Sequence, residues 1–358
     1  MQVARTIYDA DGTVLLTAGM VLNEYFIRRL GELGVASAYI KDDTFNSLDY
    51  IPDVIAEQTR METVKAVKDN FQALAVNRRI NTRLMKKAVD KILDDLLSSR
   101  DVLVNLTDIR TYDDYTFAHS VNVCVLSLMT GITLGMHELK LREIGVGALL
   151  HDIGKIRVDR ELLNKPGELT PAEYAEIQKH TTYGFDILRS YDDISLLSAH
   201  IAFQHHERWD GKGYPRALLR DDIHEYARIV AVADVYDALL ADRPYRAAYS
   251  VNQAVAILTR MSDIYFEPRA LSALVSNIAV YPVGSVVCLN TGETGMVVDV
   301  NRAAPTRPVV RVIFDRHRRR LKTPHEVDLA RLSTIYIARV LTEQDILRIK
   351  TGREAAEE

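Results

Sequence analysis

Two stretches of the chain are apolar on every side at helical spacing: Val121-Asn122-Val123-Cys124-Val125-Leu126-Ser127-Leu128-Met129 and residues 227–240. A helix without a polar stripe lies at the centre of its domain, so polar residues on these two are informative. They sit in a block, 101–280, that reads as all-helical. Before it, Val54, Val64, Val67, Phe71, Leu74, Leu84, Val89, Ile92, Leu93 and Leu96 recur among charged residues. That period predicts two amphipathic helices in 51–100, broken near 77–81. They are expected to pack on the helical block; a connector or a dimerising helix is the alternative. Residues 1–50 read as a small α+β unit. It has strands at Thr6-Ile7-Tyr8, Val14-Leu15-Leu16 and Ala38-Tyr39-Ile40, a turn at 9–12, and a helix capped by Asn23 that stops near Gly34. After Tyr281-Pro282-Val283-Gly284 the pattern alternates, predicting a small β-barrel-like module over 281–340. A short helix and a loose tail fill 341–358. The fold class is multidomain and mainly α, with a central helical bundle.

The 358 residues are 47% hydrophobic and 26% charged, which excludes a mostly disordered chain. A net charge of −4 argues against general nucleic-acid binding. Two cysteines exclude a disulfide framework and suit a reducing compartment. No apolar signal core opens the chain, and no apolar run approaches the ~18–20 residues of a membrane helix. The expectation is a soluble, cytoplasmic protein.

The chemistry-bearing residues are histidines and aspartates in the helical block. His151-Asp152-Ile153-Gly154-Lys155 comes after an apolar stretch. An aspartate there can bridge two cations while the neighbouring imidazole binds one, and Lys155 can meet a phosphate as a point charge. Alone, a His-Asp pair is weak evidence. His205-His206-Glu207 offers adjacent imidazoles pointing about 100° apart, or merely a solvated surface. Asp234 lies on the second apolar helix with Asp237 three residues on. A buried carboxylate needs a cation or a partner, and Arg228, Arg243 or Arg246 are the ordinary candidates. His119 and His180 read singly as structural histidines. Jointly the set suits two metals with open positions, and is too rich for one catalytic zinc.

These segments resemble the HD-GYP family, a subgroup of the HD-domain metal-dependent phosphohydrolases. The resemblance rests on His151-Asp152-Ile153-Gly154-Lys155, Leu163-Asn164-Lys165-Pro166-Gly167-Glu168-Leu169-Thr170, and His205-His206-Glu207-Arg208-Trp209-Asp210-Gly211-Lys212-Gly213-Tyr214-Pro215. It extends to Ala233-Asp234-Val235-Tyr236-Asp237-Ala238-Leu239 and Asp242-Arg243-Pro244-Tyr245-Arg246. It implies hydrolysis of cyclic di-GMP to pGpG, and in some members to GMP. It implies metal ligands at His119, His151, Asp152, His180, His205, His206 and Asp234, with Asp152 and Lys155 at the catalytic centre. Tyr115 stands where certain members carry a glutamate for a third metal, so two metals are expected. Iron or manganese is favoured for this nitrogen- and oxygen-rich set, with zinc compatible.

The chemistry implied is in-line attack of hydroxide on one phosphodiester, with two divalent cations and Lys155 offsetting charge on the phosphate oxygens. Gly213, Tyr214 and Pro215 are expected at the substrate, or as loop shape alone. Arg243 and Arg246 would meet phosphate or guanine edges, or simply complement a helix dipole. Glu207, Asp210 and Asp237 are expected to orient imidazoles. The run Arg316-His317-Arg318-Arg319-Arg320 reads as a solvated turn. The family also implies encounters with diguanylate cyclases or motility proteins. A non-catalytic regulator that binds cyclic di-GMP, and a phosphohydrolase of another cyclic nucleotide, are the competing readings.

Overall fold

The computed structural model describes residues 2–4, 6–8, 14–33, 35, 38, 40–41, 54–98, 115–241, 248–301 and 304–351. In the N-terminal unit, β1 (Gln2–Val3) pairs antiparallel with β4 (Ile40–Lys41), and β2 (Ile7–Tyr8) with β3 (Val14–Leu16). Helix α1 (Glu24–Glu32) starts where Asn23 Oδ1 accepts the Phe26 N–H at 2.8 Å, the expected cap. Val3, Ile7, Leu16, Leu30 and Val35 form a small separate core. The expected turn at 9–12 and the stop at Gly34 lie outside the described residues.

The two amphipathic helices are α2 (Glu57–Ala75) and α3 (Thr82–Ser98). Asn77 turns the chain between them with φ +57°, and Asn81 Oδ1 accepts the Leu84 N–H at 3.0 Å to open α3. Their apolar faces, with Val67, Phe71, Met85, Val89 and Ile92, share one continuous core with the helical block.

That block holds α4 (Tyr115–Thr133), α5 (Glu138–Leu149), α6 (Arg160–Leu163), α7 (Pro171–Gln178), α8 (His180–Leu188), α9 (Leu196–Gln204), α10 (Glu225–Leu239), α11 (Val251–Arg260) and α12 (Pro268–Val275). A 3-10 turn, Ile153–Arg157, comes after α5. The all-apolar segments become α4 and α10, packed centrally, with Val121, Val123, Val125 and Val230 fully buried. Gly154 lies against the start of α8. A Cβ there would sit 1.9 Å from the His180 carbonyl oxygen, so only glycine permits this approach.

The C-terminal module is one antiparallel sheet of β5 (Val286–Leu289), β6 (Thr294–Asp299), β7 (Val309–Phe314), β8 (Arg320–Asp328) and β9 (Ile337–Val340). Its strand order is β8-β7-β6-β5-β9 among the described residues. Val287, Val297, Val310 and Val312 line one face, and Val286, Met296, Ile313 and Phe314 the other. Helix α13 (Glu343–Thr351) comes last. The basic run forms the exposed β7–β8 turn, where Asp315 Oδ1 accepts the N–H groups of His317 at 2.8 Å and Arg319 at 2.9 Å.

Candidate metal centre

The C-terminal ends of three helices supply most of the site. The last carbonyls of a helix have no intrahelical donor, so a side chain just beyond them can use them. His151 Nδ1 donates to the Ala148 carbonyl at 2.7 Å, at the end of α5. His180 Nδ1 donates to the Ile177 carbonyl at 2.7 Å, at the end of α7. His205 Nδ1 lies 3.1 Å from both the Ile201 and Ala202 carbonyls, at the end of α9. Anchoring Nδ1–H on a carbonyl fixes the tautomer and leaves each Nε2 with a lone pair facing the centre.

Asp152 is where these imidazoles converge. Its carboxylate lies 3.4 Å from His151 Nε2, 3.5 Å from His180 Nε2 and 3.8 Å from His205 Nε2. These separations are too long for good hydrogen bonds. His151 Nε2 and Asp152 Oδ1 are both buried with no hydrogen-bond partner. Stranding such groups costs about 1–3 kcal/mol each, and a cation among them would satisfy both. The residues present therefore fit a divalent metal. Asp152, His180, His205 and His206 form one group whose donor atoms lie within 4.8 Å of one another, and His119, His151 and Asp152 form a second. His151, His205 and Asp234 form a third. Asp152 belongs to two of the groups, the position from which one carboxylate reaches two cations.

Burial drives the His205 imidazole well below its ordinary range, lowers that of His180, and takes His206 down to about 3. Neutral imidazole is the ligand form. His119 differs. Its burial opposes protonation, yet Asp234 and Asp237 push it up to about 9. Its Nε2 lies 3.0 Å from Asp234 Oδ1 and its Nδ1 2.7 Å from Asp237 Oδ2. Burial alone would raise the Asp234 carboxyl, but the His119 contact holds it far below the carboxylate range. Asp237 thus sits against the His119 Nδ1 edge, opposite the edge that faces Asp234. The ordinary partner Arg228 is engaged elsewhere, with Asp221 at 2.9 Å and Glu267 at 3.6 Å. Lys155 Nζ donates to Asp152 Oδ2 at 2.5 Å from a side chain about one-third exposed.

Two expectations are corrected. Glu207 orients no imidazole; its carboxylate accepts the backbone N–H groups of Arg216 at 2.8 Å and Leu218 at 2.9 Å. Asp210 instead takes a two-point bond from Arg208, at 3.0 and 2.6 Å, and the Lys212 N–H at 3.1 Å. Both carboxylates serve the Gly-Tyr-Pro loop, because the residue beside His206 points away from the centre while that loop offers N–H groups in need of acceptors. Within the loop, a Cβ on Gly213 would lie 2.3 Å from the Arg208 nitrogen, so this position closes the turn. Tyr214 stacks on His206, ring centroids 4.7 Å apart and 26° between planes. Pro215 is exposed beside it. Arg243, Arg246 and the Tyr115 side chain lie outside the described residues.

Sequence reasoning missed two residues behind His119. Asn122 Nδ2 donates to the second oxygen of Asp237 at 2.9 Å, and Arg60 Nη1 on α2 donates to Asn122 Oδ1 at 2.9 Å. Asn122 carried a signal, being polar on an otherwise apolar helix; Arg60, one charge on an amphipathic helix, carried none.

The fold is a helical bundle whose buried His/Asp cluster could hold metal. The HD domain family model matches residues 91–270, and a model described as a KOW domain associated with HD domain matches 286–349. The chain belongs to the HD domain family. It is 35% identical over 267 residues to a cyclic di-GMP phosphodiesterase of Pseudomonas aeruginosa, covering 74% of this chain and 64% of that one. It is 41% identical over 181 residues to a cyclic di-GMP phosphodiesterase of Thermotoga maritima, covering 50% of this chain and 49% of that one. The chain thus spans less than two thirds of either relative. Among solved structures, an HD-GYP-type protein of Bdellovibrio bacteriovorus, Bd1817, shares the fold with a TM-score of 0.50 and 19% identity, over 76% of this chain and 97% of that one. No described helix is long and apolar enough to cross a membrane.

Proposed function

We propose that the protein is a cyclic di-GMP phosphodiesterase carrying two divalent cations, iron or manganese in preference to zinc. The observation that supports this best is Asp152, a buried carboxylate with an unpartnered oxygen, shared by two separate groups of imidazoles. His119, His151, Asp152 and Asp234 would hold one cation, and Asp152, His180, His205 and His206 the other. When bound, such ions supply Lewis-acid neutralisation of phosphate charge and lower the pKa of water. His151, His180 and His205, locked through Nδ1 on helix-end carbonyls, need no reorganisation to offer Nε2. Lys155 steadies Asp152 and, partly exposed, extends its ammonium group toward a phosphate oxygen. Tyr214, stacked on His206, offers a ring at the rim against which a guanine can lie. Arg243 and Arg246 are proposed contacts to phosphate or a guanine edge. Hydrolysis adds water across one phosphodiester, leaving a 5′-phosphate and a free 3′-hydroxyl in pGpG, and GMP where the second ester is also cut. Two free cysteines suit a reducing, cytoplasmic setting.

The test is metal analysis of anaerobically purified protein paired with chromatography of products. Metal-loaded wild type is expected to carry about two ions and convert cyclic di-GMP to pGpG or GMP. His151→Ala and Asp152→Ala are each expected to lose bound metal and all turnover while keeping wild-type far-UV dichroism. Fully metallated protein that binds cyclic di-GMP without cleaving it, or cleaves only a mixed adenine–guanine cyclic dinucleotide, would refute the assignment.

A further inference from the structure

The His119 imidazole is held from behind by a file of side chains that ends on a different helix. Asp237 Oδ2 meets His119 Nδ1 at 2.7 Å, and Asn122 Nδ2 donates to Asp237 Oδ1 at 2.9 Å. Arg60 Nη1 then donates to Asn122 Oδ1 at 2.9 Å. Asp237 is fully buried and Asn122 nearly so, where hydrogen bonds are directional and costly to break. Asn122 needs its amide oxygen turned outward to present its amide nitrogen to Asp237. An amide flipped the other way would face the carboxylate with oxygen. Arg60, which can only donate, selects the correct orientation.

The same helix grips α4 a second time. Phe71 meets Phe117 edge-on, ring centroids 5.5 Å apart, two residues before His119. Helix α2 therefore engages α4 on both sides of the histidine.

We propose that Arg60 is a positioning residue for the metal centre, acting through Asn122 and Asp237 on His119. This rests on the cluster holding cations. Loss of the Arg60 contact frees the Asn122 amide, weakens the hold of Asp237 on Nδ1, and lets the imidazole swing away from the line that presents Nε2. Partners of this kind that orient a metal-bound histidine are worth about 10–100-fold in metal affinity.

The experiment titrates Mn²⁺ into the full-length apoprotein of wild type, Arg60→Met, Arg60→Lys, Asn122→Ala and Arg60→Met/Asn122→Ala, with far-UV dichroism on each. Methionine keeps the packing stem and removes only the guanidinium. Expected is roughly a ten-fold or greater loss of affinity at one of two Mn²⁺ sites in Arg60→Met, with unchanged dichroism and partial recovery in Arg60→Lys. The double variant is expected to lose no more than Asn122→Ala alone, because the two residues act in series. Cyclic di-GMP turnover should show kcat reduced and KM held. Wild-type Mn²⁺ affinity in Arg60→Met, or additive losses in the double variant, would overturn the proposal. If wild type binds Mn²⁺ but does not cleave cyclic di-GMP, the substrate assignment fails while the titration still decides the role of Arg60.

Discussion

At Gly154 the backbone of the turn after His151 and Asp152 touches the backbone of α8, and the hydrogen in place of a side chain makes that approach possible. A Cβ would meet the His180 carbonyl oxygen at 1.9 Å and the Gly184 nitrogen at 2.5 Å, atoms that cannot rotate aside. Gly154→Ala is therefore expected to cost at least the ~1–3 kcal/mol of an overpacked core and to displace Asp152 from His180. Urea unfolding of wild type and variant measures the first and bound-metal content the second; wild-type values in both would show that the turn has slack. The residues with chemistry in their side chains were legible at this scale. His119 and His180 read singly as structural, and the set His119, His151, Asp152, His180, His205, His206 and Asp234 was assigned as metal ligands only through the family resemblance. What stayed hidden depends on approach in space. The carbonyls of Ala148, Ile177 and Ile201 are backbone, Arg60 is one charge among many, and Glu207 sits beside His206 in sequence yet faces the loop.

Helix ends, more than helix faces, define the elements of the centre. Three C-termini supply carbonyls to imidazoles, and the N-terminus of α7 is fixed with comparable care. Pro171 stands in its first turn, and Thr170 and Glu173 cap it reciprocally, with Lys165 donating to Glu173 Oε1 at 2.7 Å and Oε2 at 2.8 Å. This cap matters to the rim because Tyr174, on α7, meets Tyr214 edge-on at 6.2 Å. Lys165, followed by the Thr170 backbone and hydroxyl, holds the Glu173 carboxyl down to about 2 from its ordinary 4.5. A depressed folded-state pKa stabilises above the unfolded value, so this contribution is complete above about pH 4.5 and vanishes as pH falls through about 2. Glu173→Gln removes it at every pH. The gap in melting temperature between wild type and Glu173→Gln should be open at pH 6 and closed near pH 2; a gap independent of pH would show that the charge contributes nothing. The Leu163-to-Thr170 segment was legible as a motif, but its cap became visible only when Lys165 and Glu173 were seen to close the loop.

The described residues form several separate apolar cores. Hydrophobic period divides the chain near 100, but packing does not: Val67, Phe71, Met85, Val89 and Ile92 of α2 and α3 belong to one core with Val121, Ile144 and Val230. That continuous core begins near 54 and ends near 280, where the sheet begins with its own apolar residues on both faces. The two amphipathic helices were expected to pack on the helical block, with a connector or dimerising role as the alternative, because an amphipathic period shows that a helix has a partner without naming it. Two truncations test the division. A chain ending at Val280 keeps every residue of the helical core, and is expected to retain its helical dichroism, its cooperative unfolding and its bound metal. A chain lacking 57–98 uncovers the faces of α4 and α5 that α2 and α3 bury, at roughly 1.5–3 kcal/mol for each large apolar side chain exposed. That sum exceeds the ~5–15 kcal/mol by which a domain is stable, so this second chain is expected to unfold or aggregate. A folded, metal-binding protein without 57–98 would return those helices to the rank of a connector, and would remove the physical path from Arg60 to His119 with them.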